Sequence, residues 1–202
     1  QFGLVGSEMC IRDSYASFLE DTFDTICKYF PDYEYSPFMN EKFYKDWSHD
    51  LKWGIHQARC VVGHNLKVAW NLTRMHSLKP KDSYKEFAHQ IADAIPGSGC
   101  DNQRGGWYDM MERTLKEGEE NHRLVWHDRK AWWQQEQGIL AYYIMAGVYN
   151  DKPEYLNFAR EGTAFYNGWF LDYEEGGIYF NVLANGQPYA LGTERGLSLI
   201  HI

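Results

Sequence analysis

Two stretches of the chain carry side chains suited to chemistry on a small polar molecule. The first is Val62-Gly63-His64-Asn65-Leu66-Lys67-Val68-Ala69-Trp70. A glycine before the imidazole permits a tight start to a helix. That puts His64 in the first turn, where unpaired backbone N–H groups disfavour the imidazolium. Lys67 follows one turn later on the same face, and a second positive charge acts in the same direction. The spacing predicts a neutral imidazole able to accept a proton near pH 7, with Lys67 beside it. The alternative is a hydrogen-bonded histidine that only closes a helix end.

The second stretch is Trp132-Trp133-Gln134-Gln135-Glu136-Gln137. Indole faces stack on the apolar face of a pyranose, while amides and carboxylates exchange hydrogen bonds with hydroxyls. Trp133, Glu136 and Gln137 are therefore candidates for holding a sugar, with core tryptophans on a buried helix as the alternative. The polar run interrupts an otherwise apolar pattern. Because buried amides without partners are costly, a hydrated or ligand-filled cavity is expected beside it. Trp107, with Tyr108, either lines the same cleft or anchors a loop. His49, His56 and His64 match neither a helical face nor a finger pattern, so no metal site is expected. His122 and His127 flank a charged loop and read as solvated surface. Serine-hydrolase elbow, phosphate loop and dinucleotide fingerprint are all missing, and no cofactor is expected.

Helices must position these residues. Phe18, Leu19, Thr22, Phe23, Ile26 and Phe30 recur at spacings of three and four, which predicts an apolar helix face. A second helix is predicted from Val62 to Leu78. A third, from Lys130 to Tyr149, is apolar on most of its circumference and belongs in an interior. Shorter helices are predicted at Ser83 to Ala94 and Pro153 to Phe170, the latter with Asp151 as cap and Pro153 in the first turn. Gly105-Gly106-Trp107-Tyr108-Asp109 is echoed by Gly176-Gly177-Ile178-Tyr179-Phe180 about 70 residues later, each a turn into a short extended piece. Asn185-Gly186 adds a hairpin-type turn. Helix, helix and Gly-Gly-aromatic loop form a unit that cannot bury its apolar face alone, and such units stack, commonly into a closed ring.

The ends differ in character. Residues 3–14 read as a transposase-library sequencing adapter translated in one frame, and 197–202 as the reverse complement of the same insertion end. The expected organisation is therefore 1–14 adapter-derived, 15–196 one domain incomplete at both ends, and 197–202 adapter-derived. The chain is acidic, with a net charge of −8 and no Lys/Arg cluster, which argues against nucleic acid or an anionic membrane as partner. No apolar run is long enough to span a bilayer. Cys27, Cys60 and Cys100 without a C-x-x-C pair suggest free thiols in a reducing, cytoplasmic setting. The sequence assigns no oligomeric state.

Gly63-His64-x-x-x-x-x-Trp70, the downstream Trp132-Trp133-x-Gln135 and the two Gly-Gly-aromatic loops together resemble the N-acylglucosamine 2-epimerase superfamily, which includes cellobiose 2-epimerases and mannose isomerases. Glu41-x-Phe43-x-x-Asp46-Trp47 and Asp151-Lys152-Pro153-Glu154-Tyr155-Leu156 fit the same pattern. The resemblance covers essentially all of 15–196. It implies an all-α fold, part of an (α/α)6 barrel, and proton transfer at C2 of an open-chain reducing sugar. His64 matches one of the family's two acid/base histidines; the other is implied beyond Gly196. Lys67 and Gln137 stand where the family usually has glutamates, which reverses local charge and marks Lys67 as a candidate for stabilising an enediolate or binding an acidic substrate group. A silent sugar-binding relative, or a glycoside hydrolase or lyase using Glu136 and Asp109, are the other readings.

Overall fold

A computed structural model describes residues 2–52, 58–125, 129–188 and 197–198, with side chains described from residue 12 to 188 within those spans. Its elements in chain order are α1 (Phe2–Tyr29), β1 (Arg59–Val61), α2 (Val62–Leu78), α3 (Asp82–Gly99), β2 (Met110–Glu112), β3 (Arg129–Ala131), α4 (Trp132–Val148), α5 (Glu154–Trp169), β4 (Ile178–Tyr179), β5 (Asn181–Leu183) and β6 (Leu197–Ser198). Helix α2 ends where Pro80 forces Lys79 into an extended conformation, φ −143° and ψ 93°. Two helical hairpins, α2–α3 and α4–α5, stand side by side, with α2 packed on α4. Helix α1 lies against α3, where Asp24 accepts from the Tyr84 hydroxyl at 2.7 Å and pairs with Lys81 at 2.7 Å.

The repeat is closer in space than in sequence. Helices α2 and α4 are each 17 residues long and each follows a three-residue strand. Strand β1 pairs antiparallel with β2, Arg59 opposite Glu112, and β3 pairs in the same way with β5, Arg129 opposite Leu183. Each strand pair clasps the start of an inner helix to the loop that leaves its outer partner.

Those loops share one path. The Asp101 carbonyl accepts from Gly105 N at 2.7 Å while its Oδ1 accepts from Gln103 N and Arg104 N; Asp172 does the same with Gly176, Glu174 and Glu175. Gly105, Gly106, Gly176 and Gly177 have φ between 79° and 96°, a region open to glycine, so the Gly-Gly pairs are required by the turn. A third copy begins at Asp32, whose carbonyl accepts from Ser36 N and whose Oδ1 accepts from Tyr35 N. It has no glycines and one more residue before the chain rejoins the common path.

Two expectations are corrected. Helix α3 passes through Pro96 to Gly99 rather than stopping near Ala94. Pro96 has no N–H to give the Ala92 carbonyl, and the Tyr142 hydroxyl donates there instead, at 2.8 Å. Asp151 does not cap α5: Pro153 occupies the N-cap with helical dihedrals, and no side-chain cap bond forms. The core joins Leu66, Ala69, Leu72, Phe87, Ile91, Ile95, Tyr142 and Tyr155. Cys27, Cys60 and Cys100 are free thiols, and no described helix is long and apolar enough to cross a membrane.

Candidate functional site

The starts of α2 and α4 meet because the two inner helices run side by side and both strand clasps lie at the same end. Between them opens a cleft of about 350 Å³, walled by His64, Trp133, Asp109, Arg129, Phe180 and Asn181. A wider hollow of about 480 Å³ lies between α1 and the end of α2, but of its two carboxylates, Asp13 and Glu20, the latter is taken up by Lys79 and Lys81. The narrower cleft is the one with chemistry in its walls.

His64 sits in the first turn of α2 and is 45% exposed. Its Nδ1 is 2.7 Å from Oε2 of Glu41, whose side chain is only 12% exposed. An ionised carboxylate only accepts hydrogen bonds, so Nδ1 carries the hydrogen; in the neutral ring the lone pair is then on Nε2. The indole of Trp133 lies 5.3 Å from the imidazole, ring centre to ring centre. Gly63 makes that approach possible: a Cβ there would lie 2.6 Å from the Trp133 ring. Its φ is not positive, so Gly63 serves as space rather than as a flexible entry to the helix.

The polar run on α4 has the cleft beside it, as expected, with Gln134 in its wall, but its amides find their partners within the protein. Gln134 Oε1 accepts from Gly63 N at 2.6 Å and its Nε2 donates to the Asp109 carbonyl at 2.9 Å. Gln135, fully buried, accepts from Trp107 N and donates to Trp107 O, both at 2.7 Å, and to Ala131 O at 3.1 Å. These amides hold loop backbone; they need no ligand-filled cavity to satisfy them. Asn65 plays the Gln135 part on α2, accepting from Met39 N at 3.0 Å and donating to Val61 O at 3.1 Å. On α4 the buried positions are these glutamines with Gly138, Ala141, Tyr142 and Met145, whereas Leu140 and Tyr143 are exposed. The helix that is apolar nearly all round thus turns its amides inward.

Of the residues picked out by sequence, His64 and Trp133 come together at the cleft. Lys67 is exposed on α2 and does not line it. Glu136 accepts from the Tyr166 hydroxyl at 2.8 Å, and Gln137 accepts from Trp70 Nε1 at 2.9 Å, so both are engaged within the protein and away from the cleft walls. Trp107 is 1% exposed, stacked on Tyr142 with its edge over Gly138. It anchors the loop and does not face a ligand. His122 is half-buried against Phe38, with Nδ1 donating to the Glu112 carbonyl, and burial holds it below the ordinary histidine range. Solvated surface is therefore corrected to a packed position. His49 donates from Nε2 to Tyr29 O at 3.4 Å, while His56 and His127 lie outside the described residues. Among the described residues no cluster of His, Cys, Asp or Glu has the makings of a metal site.

The candidate site residue that sequence reasoning missed is a carboxylate, Glu41, visible only as part of a family pattern. Asp109 was singled out only as a hydrolase carboxylate beside Glu136. Asp109, 7% exposed, accepts from Ala131 N at 2.7 Å. Two buried ion pairs back the site: Asp32 with Arg113, and Asp101 with Lys130 at 2.7 Å, the lysine fully buried and also donating to Gly105 O. Burial alone would raise the Asp101 carboxyl, but the bonds from Lys130 and Arg104 N outweigh it and hold it below the usual carboxylate range.

Fold and cleft together define an arc of an α/α toroid with a histidine-bearing cleft at the starts of its inner helices. No protein-family model and no curated protein matches the chain by sequence. Solved structures do match it in fold. Cellobiose 2-epimerase from Spirochaeta thermophila DSM 6192 superimposes with a TM-score of 0.74 at 15% identity, over 94% of this chain and 43% of that one. Cellobiose 2-epimerase from Bacillus thermoamylovorans B4167 gives 0.69 at 18% identity, over 86% and 41%. A D-mannose isomerase gives 0.57 at 20% identity, over 73% and 35%. The expected helical-toroid fold is the one found, and the chain spans about two-fifths of the length of the proteins that share it.

Proposed function

We propose that this chain is part of a sugar 2-epimerase or aldose–ketose isomerase of the N-acylglucosamine 2-epimerase superfamily. The observation that carries the reading is His64 and Trp133, in ring contact, side by side in the wall of a cleft large enough for a monosaccharide ring. In the reading, Nε2 of His64 takes the proton from C2 of the open-chain sugar, which the adjacent C1 carbonyl has acidified. The electron pair moves to the C1 oxygen and leaves an enediolate. Return of a proton to the opposite face of C2 gives the epimer; return to C1, with the O2 proton passing to O1, gives the ketose. Trp133 offers an apolar face to the sugar, and Asp109 and Asn181 offer polar atoms to its hydroxyls. The names of the fold neighbours, two cellobiose 2-epimerases and a D-mannose isomerase, support the same class. The hydrolase reading loses support, because Glu136 is held by Tyr166 away from the cleft.

Incubation with glucose, mannose, N-acetylglucosamine or cellobiose in heavy water tests the proposal. Deuterium uptake at C2 that disappears in His64→Ala is the expected result. Sugar binding without exchange would point to the silent relative, and glycosidic cleavage to the hydrolase.

A further inference from the structure

The three loops that return from the outer helices rejoin a common path at Asn40, Tyr108 and Tyr179, whose N–H groups donate to Phe30 O, Gly99 O and Phe170 O respectively. The next residue in each is Glu41, Asp109 and Phe180. Equivalent backbone positions thus carry two carboxylates of different length, and the two do different things. In the second copy Asp109 Oδ1 accepts from Ala131 N, the last residue of β3, at 2.7 Å. In the first copy Glu41 Oε1 faces the matching group, Val61 N at the end of β1, at 3.4 Å, a weak contact. Its other oxygen meets Nδ1 of His64 at 2.7 Å. Where Glu41 meets a histidine on the inner helix, Asp109 has Gln134, whose Nε2 bonds the Asp109 backbone carbonyl and not the carboxylate.

We propose that Glu41 is a positioning residue for His64: its extra methylene, relative to Asp109, converts a loop-anchoring carboxylate into one that fixes the imidazole tautomer and aims Nε2 at the cleft. The role rests on the proton-transfer reading for its catalytic consequence, but its structural content stands apart from it. A charge-assisted bond to a largely buried carboxylate favours the Nδ1–H form and restricts ring rotation. Among the described residues, the ring's aromatic contact is with Trp133. A base must present a lone pair in a fixed direction, so losing this partner lowers the fraction of productive imidazole even though no atom of Glu41 touches the sugar.

The discriminating variant is Glu41→Asp. It withdraws the carboxylate toward Val61 N, as Asp109 sits toward Ala131 N, so the anchor is kept or improved while the bond to His64 is lost. Nitrogen-15 spectra of histidine-labelled protein at pH 8, above the ordinary histidine range, report the tautomer directly. The expected result is an Nδ1–H imidazole at His64 in the parent, with the tautomer ratio falling about tenfold or more in Glu41→Asp and Glu41→Gln, while the melting temperature of Glu41→Asp stays near the parent's. Deuterium exchange at C2 should fall about 100-fold in turnover with KM little changed. An Nε2–H tautomer in the parent, or a ratio unmoved by both substitutions, overturns the positioning role. Absence of exchange in the parent overturns the proton-transfer reading instead, and the nitrogen spectra still decide the role of Glu41.

Discussion

The hairpins α2–α3 and α4–α5 are two versions of one unit, alike where side chains meet backbone and different one position away. Asn65 and Gln135 are both buried amides that tie an inner helix to the loop before it. Their preceding neighbours are His64 and Gln134, an imidazole paired with a carboxylate in one copy and a backbone clamp in the other. Gly63 and Trp133 differ in the same manner: one is the space into which the other projects. Architecture is held by positions that saturate the backbone, and the cleft-lining side chains His64 and Trp133 occupy positions that this duty leaves open.

The largest test of that division is Lys130→Met. It leaves the Asp101 carboxylate buried beside Gly105 without its cation, and a cost of about 3–5 kcal/mol in chemical denaturation is expected. Next is the pair Gln135→Ala and Asn65→Ala. Gln135 satisfies both the N–H and the carbonyl of Trp107, whereas Asn65 satisfies a single loop N–H, at Met39. Losses of roughly 2–4 kcal/mol for Gln135→Ala and less for Asn65→Ala are expected; equal losses would break the proposed division of labour. Gly63→Ala should cost about 1–3 kcal/mol by displacing the Trp133 ring, seen as a change in tryptophan fluorescence, and should lower C2 exchange. The smallest effect is expected from acid. Asp101 is held below the usual carboxylate range in the fold, so the unfolded chain takes up its proton first. The stability it contributes is complete above about pH 4 and is lost as pH falls below that, read as melting temperature against pH. In Lys130→Met the cation is gone, burial is opposed on Asp101 only by the remaining bonds from Arg104 N and Tyr108, and this acid loss should shrink.

Much of the frame is legible in the sequence. Helix α2 runs from Val62 to Leu78 as its periodicity predicts, and the glycine pairs mark two of the three loops because those turns need positive φ. The Asp32 loop escaped because an added residue replaces the glycines and breaks the pattern. The helix predicted to end at Ala94 continues through Pro96 because the freed Ala92 carbonyl takes a hydroxyl from Tyr142, far along the chain. At the site, His64 and Trp133 were readable from residue type and helix position. Glu41 was not, since its value comes from a through-space meeting that no local spacing encodes. The glutamines were legible only in part: a cleft does lie beside the run, with Gln134 in its wall, but their own partners were not foreseen. A polar run in an apolar helix suggests a ligand, and nothing in the run itself shows that the partner is the backbone of a neighbouring loop.

The bond from Lys130 to Asp101 has a consequence for how the molecule opens. It joins the loop that ends the first hairpin to the strand that begins the second, and neither hairpin can detach without carrying a bare charge out of a sealed interior. Amide hydrogens of α2 and α4 should therefore exchange with solvent through one shared opening event, so that two units built as repeats behave as a single cooperative block.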